Sequence, residues 1–288
     1  MAQVKGAESL GSFTFGGVRF AMGALALIPA AWLLERDTGG AARRRRTRLA
    51  GLAGGLILFV AANLQQFGVA ITGSASKAGF ITSLYIILVP ILGIFLRKMP
   101  GLMTWVGAAL AVGGLYLLSD GLQSVGWGDA VLLIGAFFWA LHIMLVDRFA
   151  HDVNPIRFSM TQFCVCSALS MACAIIFEDV TPQRLMDGLW PLLYGGILSV
   201  GIAYTLQIFG QRGVEPAKAA IIFSLEGLFS AIGAAVLIGE TLTARGYAGC
   251  ACIFAGVMAS QMSGMRRKAP GIPAGETAAA RGGGANRG

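Results

Sequence analysis

Charge is what this sequence has least of. Asp, Glu, Lys and Arg make up 12% of its 288 residues, against about 25% in a soluble globular chain. So few charges cannot cover a water-facing surface, and a soluble globular fold is excluded. The patterns of common chemistries are missing as well. There is no His-Glu-x-x-His, no Gly-x-Ser-x-Gly elbow and no Gly-x4-Gly-Lys-Ser/Thr loop, so neither a zinc or serine hydrolase nor ATP coupling within this chain is indicated. The five cysteines (Cys164, Cys166, Cys173, Cys250, Cys252) sit inside apolar segments without metal spacing and read as small packing residues. No cofactor or metal is expected, and no enzymatic activity. The net charge of +8 does not indicate nucleic acid, because the basic residues cluster in loops and in the C-terminal tail, as topology signals do. The first eleven residues are polar and the apolar run after them is too long for an h-region, so no cleavable signal peptide is expected.

What is present is apolar. Hydrophobic residues make up 56% of the chain, and the length accommodates roughly nine or ten spans of about 20 residues. The expectation is an all-α polytopic membrane protein with about nine transmembrane helices and the lipid bilayer as its surroundings. The spans read as about 13–34, 49–71, 78–96, 102–118, 129–146, 156–177, 189–209, 217–238 and 244–262. The loop between the first two carries Arg36, Arg43, Arg44, Arg45, Arg46 and Arg48. With that loop taken as cytoplasmic, alternating spans leave only Lys5, Arg19, Lys77, Arg184 and Arg245 of the 22 basic residues on the other side. The positive-inside bias then makes the C-terminus cytoplasmic.

The chain contains one stretch twice. A shift of 141 residues lays Gln66 on Gln207, Lys77 on Lys218, Ala78 on Ala219, Ile81 on Ile222 and Ser83-Leu84 on Ser224-Leu225. With one residue inserted, Gly107 falls on Gly249 and Gly114 on Gly256. Lys77 enters its span from outside and Lys218 from inside, so the copies cross the membrane in opposite directions. That is an inverted-topology repeat, from which many secondary transporters are built. The first span also aligns loosely with the sixth, Phe15 with Phe158 and Phe20 with Phe163, whereas the fifth has no earlier partner.

Three segments carry a family resemblance: S-F-T-F-G-G-V-R-F (Ser12 to Phe20), S-L-Y-I-I-L-V-P-I-L-G-I-F-L-R (Ser83 to Arg97) and S-L-E-G-L-F-S-A-I-G-A-A-V-L-I-G-E-T-L-T (Ser224 to Thr243). With them the chain resembles the EamA-type permeases of the drug/metabolite transporter superfamily over about residues 7–265. The resemblance implies two five-helix halves. Here 1–119 would be a first repeat lacking its first helix, 126–263 a second repeat and 264–288 a disordered cytoplasmic tail. It also implies export of small metabolites such as amino acids by alternating access through a central cavity in a bacterial inner membrane, with protons as a candidate coupling ion. A homodimer is a candidate assembly. The missing helix leaves a truncated or accessory subunit that does not transport alone as the alternative.

Glu226 is the sharpest candidate for the transport site. It lies near the middle of the eighth span, where an ionised carboxylate costs several kcal/mol unless compensated. It would bind a cationic substrate moiety or a proton, or else serve as a hydrogen-bonded structural acid. His142 and Trp139 lie three apart on the fifth span and share a face; the histidine is either proton-linked or satisfied locally. Gln66 and Gln207, at equivalent places in opposed halves, can hydrogen-bond a polar solute or join helices, and the same choice holds for Asn63, Tyr85 and Tyr204. Arg19 either attracts a carboxylate or snorkels to the interface.

Overall fold

The computed structural model describes residues 10–34, 40–118, 126–229 and 243–265, together with Gly6 and Ile232. Met1–Lys5, the turn around Glu240 and the tail beyond residue 265 lie outside the described residues. The described chain is helical, with no strand. Its helices are α1 (Ser12–Ala26), α2 (Ile28–Leu34), α3 (Ala41–Thr72), α4 (Ala75–Thr82), α5 (Tyr85–Phe95), α6 (Leu102–Leu118), α7 (Trp127–Phe149), α8 (Pro155–Phe177), α9 (Pro182–Asp187) and α10 (Leu189–Leu193). A π-helix follows over Tyr194–Tyr204, then α11 (Thr205–Gly210), α12 (Pro216–Phe223) and α13 (Ala244–Met265). Residues 225–229 continue α12 as a further helical turn. Among the described residues six stretches are long and apolar enough to cross a bilayer, and Leu102–Leu118 is a shorter apolar helix. The chain is an all-α polytopic membrane protein.

Local chemistry sets the helix ends. Gly73 closes α3 at φ +63°, donating to the Val69 carbonyl, a left-handed position that glycine occupies without a Cβ penalty. The Ser74 hydroxyl then accepts from the Lys77 N–H to cap α4, and Asn154 does the same for α8, with Pro155 at its first turn. Glu178, at the end of α8, accepts from the Phe13 and Thr14 amides and the Thr14 hydroxyl at 2.7–2.9 Å. An acid from the second half thereby caps the opening helix of the first.

The arginine-rich segment departs from the sequence expectation. Residues 41–48 are the opening turns of α3, not a loop. Arg43 donates to the Val153 carbonyl, and Arg46 pairs with Asp152 at 2.8 Å. Arg212 also donates to Val153, and to the Ala150 carbonyl. Its pKa is lowered by burial and by the neighbouring Arg43 guanidinium.

The most extensive packing joins α6 to α13, followed by α3 with α7 and α1 with α8. At the first of these a Cβ built on Gly107 would lie 2.6 Å from the Gly256 carbonyl oxygen, and one on Gly114 2.6 Å from that of Gly249. The reverse approaches, Gly256 to Gly107 and Gly249 to Gly114, are 2.6 and 2.7 Å. Ascending numbers on α6 meet descending numbers on α13, so the two helices are antiparallel. Because Gly107 corresponds to Gly249 and Gly114 to Gly256, each glycine meets the equivalent of the other, the reciprocity of a two-fold interface. Phe20 and Phe163, also equivalent, meet with ring centroids 5.9 Å apart. Both contacts have the reciprocity that an inverted repeat requires.

Two ion pairs hold α7 along the α4–α5 unit. Lys77 and Asp129 are 2.9 Å apart at one end, and Lys98 pairs with Asp147 at the other.

Candidate functional site

The helices that carry the repeat are broken at the same place in both halves. α4 stops at Thr82 and α5 begins at Tyr85; α12 stops at Phe223 and helix resumes at residue 225. The breaks are Ser83-Leu84 in one half and Ser224 in the other, and the 141-residue shift lays Ser83 on Ser224. Both are tightened by a hydrogen bond spanning three residues, Ile86 N–H to Ser83 and Gly227 N–H to Ser224. Helices interrupted at corresponding positions of opposed halves are the best structural pointer to a transporter's binding site.

Two candidates stand at these breaks. The shift of 141 that superposes the serines also lays Tyr85 on Glu226. The two occupy one position of the inverted pair and lie within electrostatic reach of each other, with Tyr204 as a third member. Glu226 is exposed, two residues beyond the Ser224 break. That correspondence was present in the sequence, as the same register that pairs Gln66 with Gln207.

Tyr204 closes the π-helix, a widened coil that is rare and often found at functional sites. Its ring meets Trp139 edge-on at 5.8 Å and lies 6.3 Å from Phe20 and 6.5 Å from Phe163. Trp139 is fixed by its indole N–H, which donates to Gln65 Oε1 at 2.9 Å.

Arg19 adjoins this aromatic cluster. It is 2% exposed, so it does not snorkel to the interface. Its guanidinium carbon lies 5.2 Å from the Phe15 ring centroid and 5.1 Å from that of Phe20. Its Nε and Nη2 have no hydrogen-bond acceptor, and no carboxylate pairs with it, among the described residues. A buried guanidinium resting on ring faces is partly compensated, and its Nε and Nη2 are open to an anion.

The remaining candidates are set among helix contacts. His142, 3% exposed, shares a 2.9 Å hydrogen bond with Gln162 Oε1. Asn63 donates to the Phe59 carbonyl and the Ser170 hydroxyl, joining α3 to α8. Gln66 is buried on α3, and Gln207 is half-buried on α11. Gln65 and Gln162, the partners of Trp139 and His142, were not singled out from the sequence. Nothing in a linear pattern reveals which amide a distant ring will meet.

A cavity of about 460 Å³ lies at the Lys98 end, between α5, the end of α7 and residues 213–217. Val89, Pro90, Met144, Asp147 and Glu215 line it. Val89 is one helical turn beyond Tyr85, but none of Arg19, Tyr85, Tyr204 and Glu226 lines the cavity.

Helix breaks at corresponding positions of a repeat are a feature of secondary transporters. The EamA-like transporter family model matches residues 1–120 and 126–261, and the chain belongs to that family. An uncharacterized transporter of Archaeoglobus fulgidus is 28% identical over 256 residues, 87% of this chain and 77% of the relative. The uncharacterized transporter YwfM of Bacillus subtilis is 27% identical over 176 residues, 60% of this chain and 59% of the relative. A solved crystal structure shares the fold at a TM-score of 0.70 and 19% identity, covering 93% of this chain and 96% of its own.

Proposed function

We propose that the chain is a secondary-active exporter of small metabolites, amino acids among them, working by alternating access between its two halves. The observation that carries this reading is Arg19. A guanidinium withdrawn from solvent with unmet donors is costly to fold and is explained by an anionic group that completes it. Glu226 supplies the opposite pole, beside Tyr85 and Tyr204. A solute bearing a carboxylate and an ammonium would place one on each, against the rings of Phe20, Tyr204 and Trp139. Protons are the proposed coupling ion, with Glu226 as the group that exchanges one.

The family membership speaks for transport rather than catalysis. The placement of the arginine-rich end and the C-terminus in the cytoplasm of a bacterial inner membrane rests on the basic-residue bias, and a homodimer is a compatible assembly. The test is counterflow in proteoliposomes preloaded with a panel of amino acids and related zwitterions, with and without a pH gradient. Exchange of a zwitterion, weakened by blocking either its carboxylate or its amine, is the expected result. Silence across the panel in folded protein overturns the reading.

A further inference from the structure

The arginine run of α3 is divided by its helical phase. Arg43 and Arg46 turn toward the α7–α8 connection, where Val153 and Asp152 receive them, and Arg44 is engaged as well. Arg45 and Arg48 are exposed, and no described residue partners either side chain. Three and four residues apart mean neighbours on one helical face. Along that face, Leu49, Leu52 and Leu56 follow Arg45 at four, seven and eleven residues, and they are 55%, 46% and 55% exposed. The opposite face, with Ala50, Gly54 and Leu58, is buried.

We propose that this face of α3 is a binding site for an anionic phospholipid, its phosphate held between Arg45 and Arg48 and an acyl chain laid along Leu49, Leu52 and Leu56. Length supports the assignment. Eleven residues at 1.5 Å per residue span about 16 Å, close to the ~15 Å hydrocarbon depth of one leaflet. The guanidinium pair therefore sits at headgroup depth when the leucines occupy one leaflet. Charge complementarity selects the headgroup, because juxtamembrane basic residues attract anionic lipid by about 1 kcal/mol each. A zwitterionic lipid fits the leucines equally but leaves both guanidinium groups without a net counter-charge. The site is independent of the transported solute and lies on the outside of the bundle.

The experiment is native mass spectrometry of the delipidated full chain, titrated with equal amounts of phosphatidylglycerol and phosphatidylcholine. The wild type should retain its first phosphatidylglycerol at least tenfold more tightly than phosphatidylcholine. Arg45→Gln with Arg48→Gln should weaken phosphatidylglycerol on the order of thirtyfold, about fivefold per guanidinium, and leave phosphatidylcholine unchanged. Both side chains are exposed, so the variant should fold, which gel filtration checks. Arg45→Lys with Arg48→Lys should keep the preference. Arg148→Gln, exposed at the same end of the bundle, should change it less than twofold. Equal retention of the two lipids by the wild type overturns the proposal. So does a double glutamine variant that keeps the preference, or an Arg148→Gln variant that loses as much as the double one.

Discussion

Gly107 on α6 rests against the carbonyl of Gly256 on α13, and Gly256 rests in turn against the carbonyl of Gly107, a Cβ on either reaching 2.6 Å from oxygen. Such approaches are available only to glycine, and in a bilayer they supply the close packing that holds helices together. The neighbouring Gly114–Gly249 pair repeats the contact at 2.6–2.7 Å. Two antiparallel helices are thus joined at two points related by the internal repeat.

Gly107→Ala should therefore destabilise the protein by about 1–3 kcal/mol, the usual cost of overpacking. The gain in helix propensity from alanine is smaller than the displacement the backbone oxygen demands. Adding Gly256→Ala should cost less than Gly107→Ala alone, because the helices have already separated at that point. Thermal melts of the two single variants and the double variant in detergent measure this. An additive double variant would show that the contacts are independent.

Glu226→Gln should cut transport at least tenfold while leaving the melting temperature within a few degrees of wild type. In the proposed site the carboxylate meets the solute, and the amide keeps its shape. Tyr85→Phe, at the equivalent position, should reduce transport by less, since it removes a hydroxyl rather than a charge. Counterflow rates with parallel melts separate the two effects. Unaltered transport by Glu226→Gln would return that residue to a structural role.

Arg19→Met should abolish exchange of carboxylate-bearing solutes and leave the melting temperature unchanged or higher. Replacing an uncompensated buried charge with an apolar side chain of similar length is often neutral or stabilising. The lost contact with the Phe15 and Phe20 faces, about 0.5–2 kcal/mol, offsets part of the gain. A marked drop in melting temperature would mean that Arg19 is chiefly a packing element.

The ion pairs at the two ends of α7 should differ in weight. Asp129→Asn, against Lys77, should cost more than Asp147→Asn, against Lys98. The Lys77–Asp129 side chains are 17% and 9% exposed, whereas Lys98 is half exposed, and exposed pairs contribute about 0–1 kcal/mol. Asp129 also accepts from the Gly126 N–H at the start of α7, a contact that asparagine keeps only in one orientation. Melts of the single variants and of the two double-mutant cycles would establish the order.

Much of this protein was legible before any coordinates. Apolar run length and polar punctuation placed the described spans to within a few residues, except where the arginine run winds into α3; the eighth span, 217–238, runs beyond the described residues. The 141-residue shift also picked out the repeated stretch whose glycines meet between α6 and α13. These are properties of the bilayer as a solvent: a backbone crossing hydrocarbon must satisfy its own hydrogen bonds, so helix length and position follow from composition.

What the linear pattern left open was decided by which helix faces meet. Arg19 was equally consistent with an interfacial and a buried guanidinium until α1 was packed against α8 and the π-helix. Trp139 and His142 share a face of α7, yet their amide partners, Gln65 and Gln162, come from two different helices. The five clustered arginines read as one topology signal, but helical phase turned some toward the α7–α8 connection and left Arg45 and Arg48 facing outward. Composition and periodicity specify each helix along its length. Rotation about its axis is specified only by the surfaces of its neighbours, and the chemistry of this site depends on that rotation.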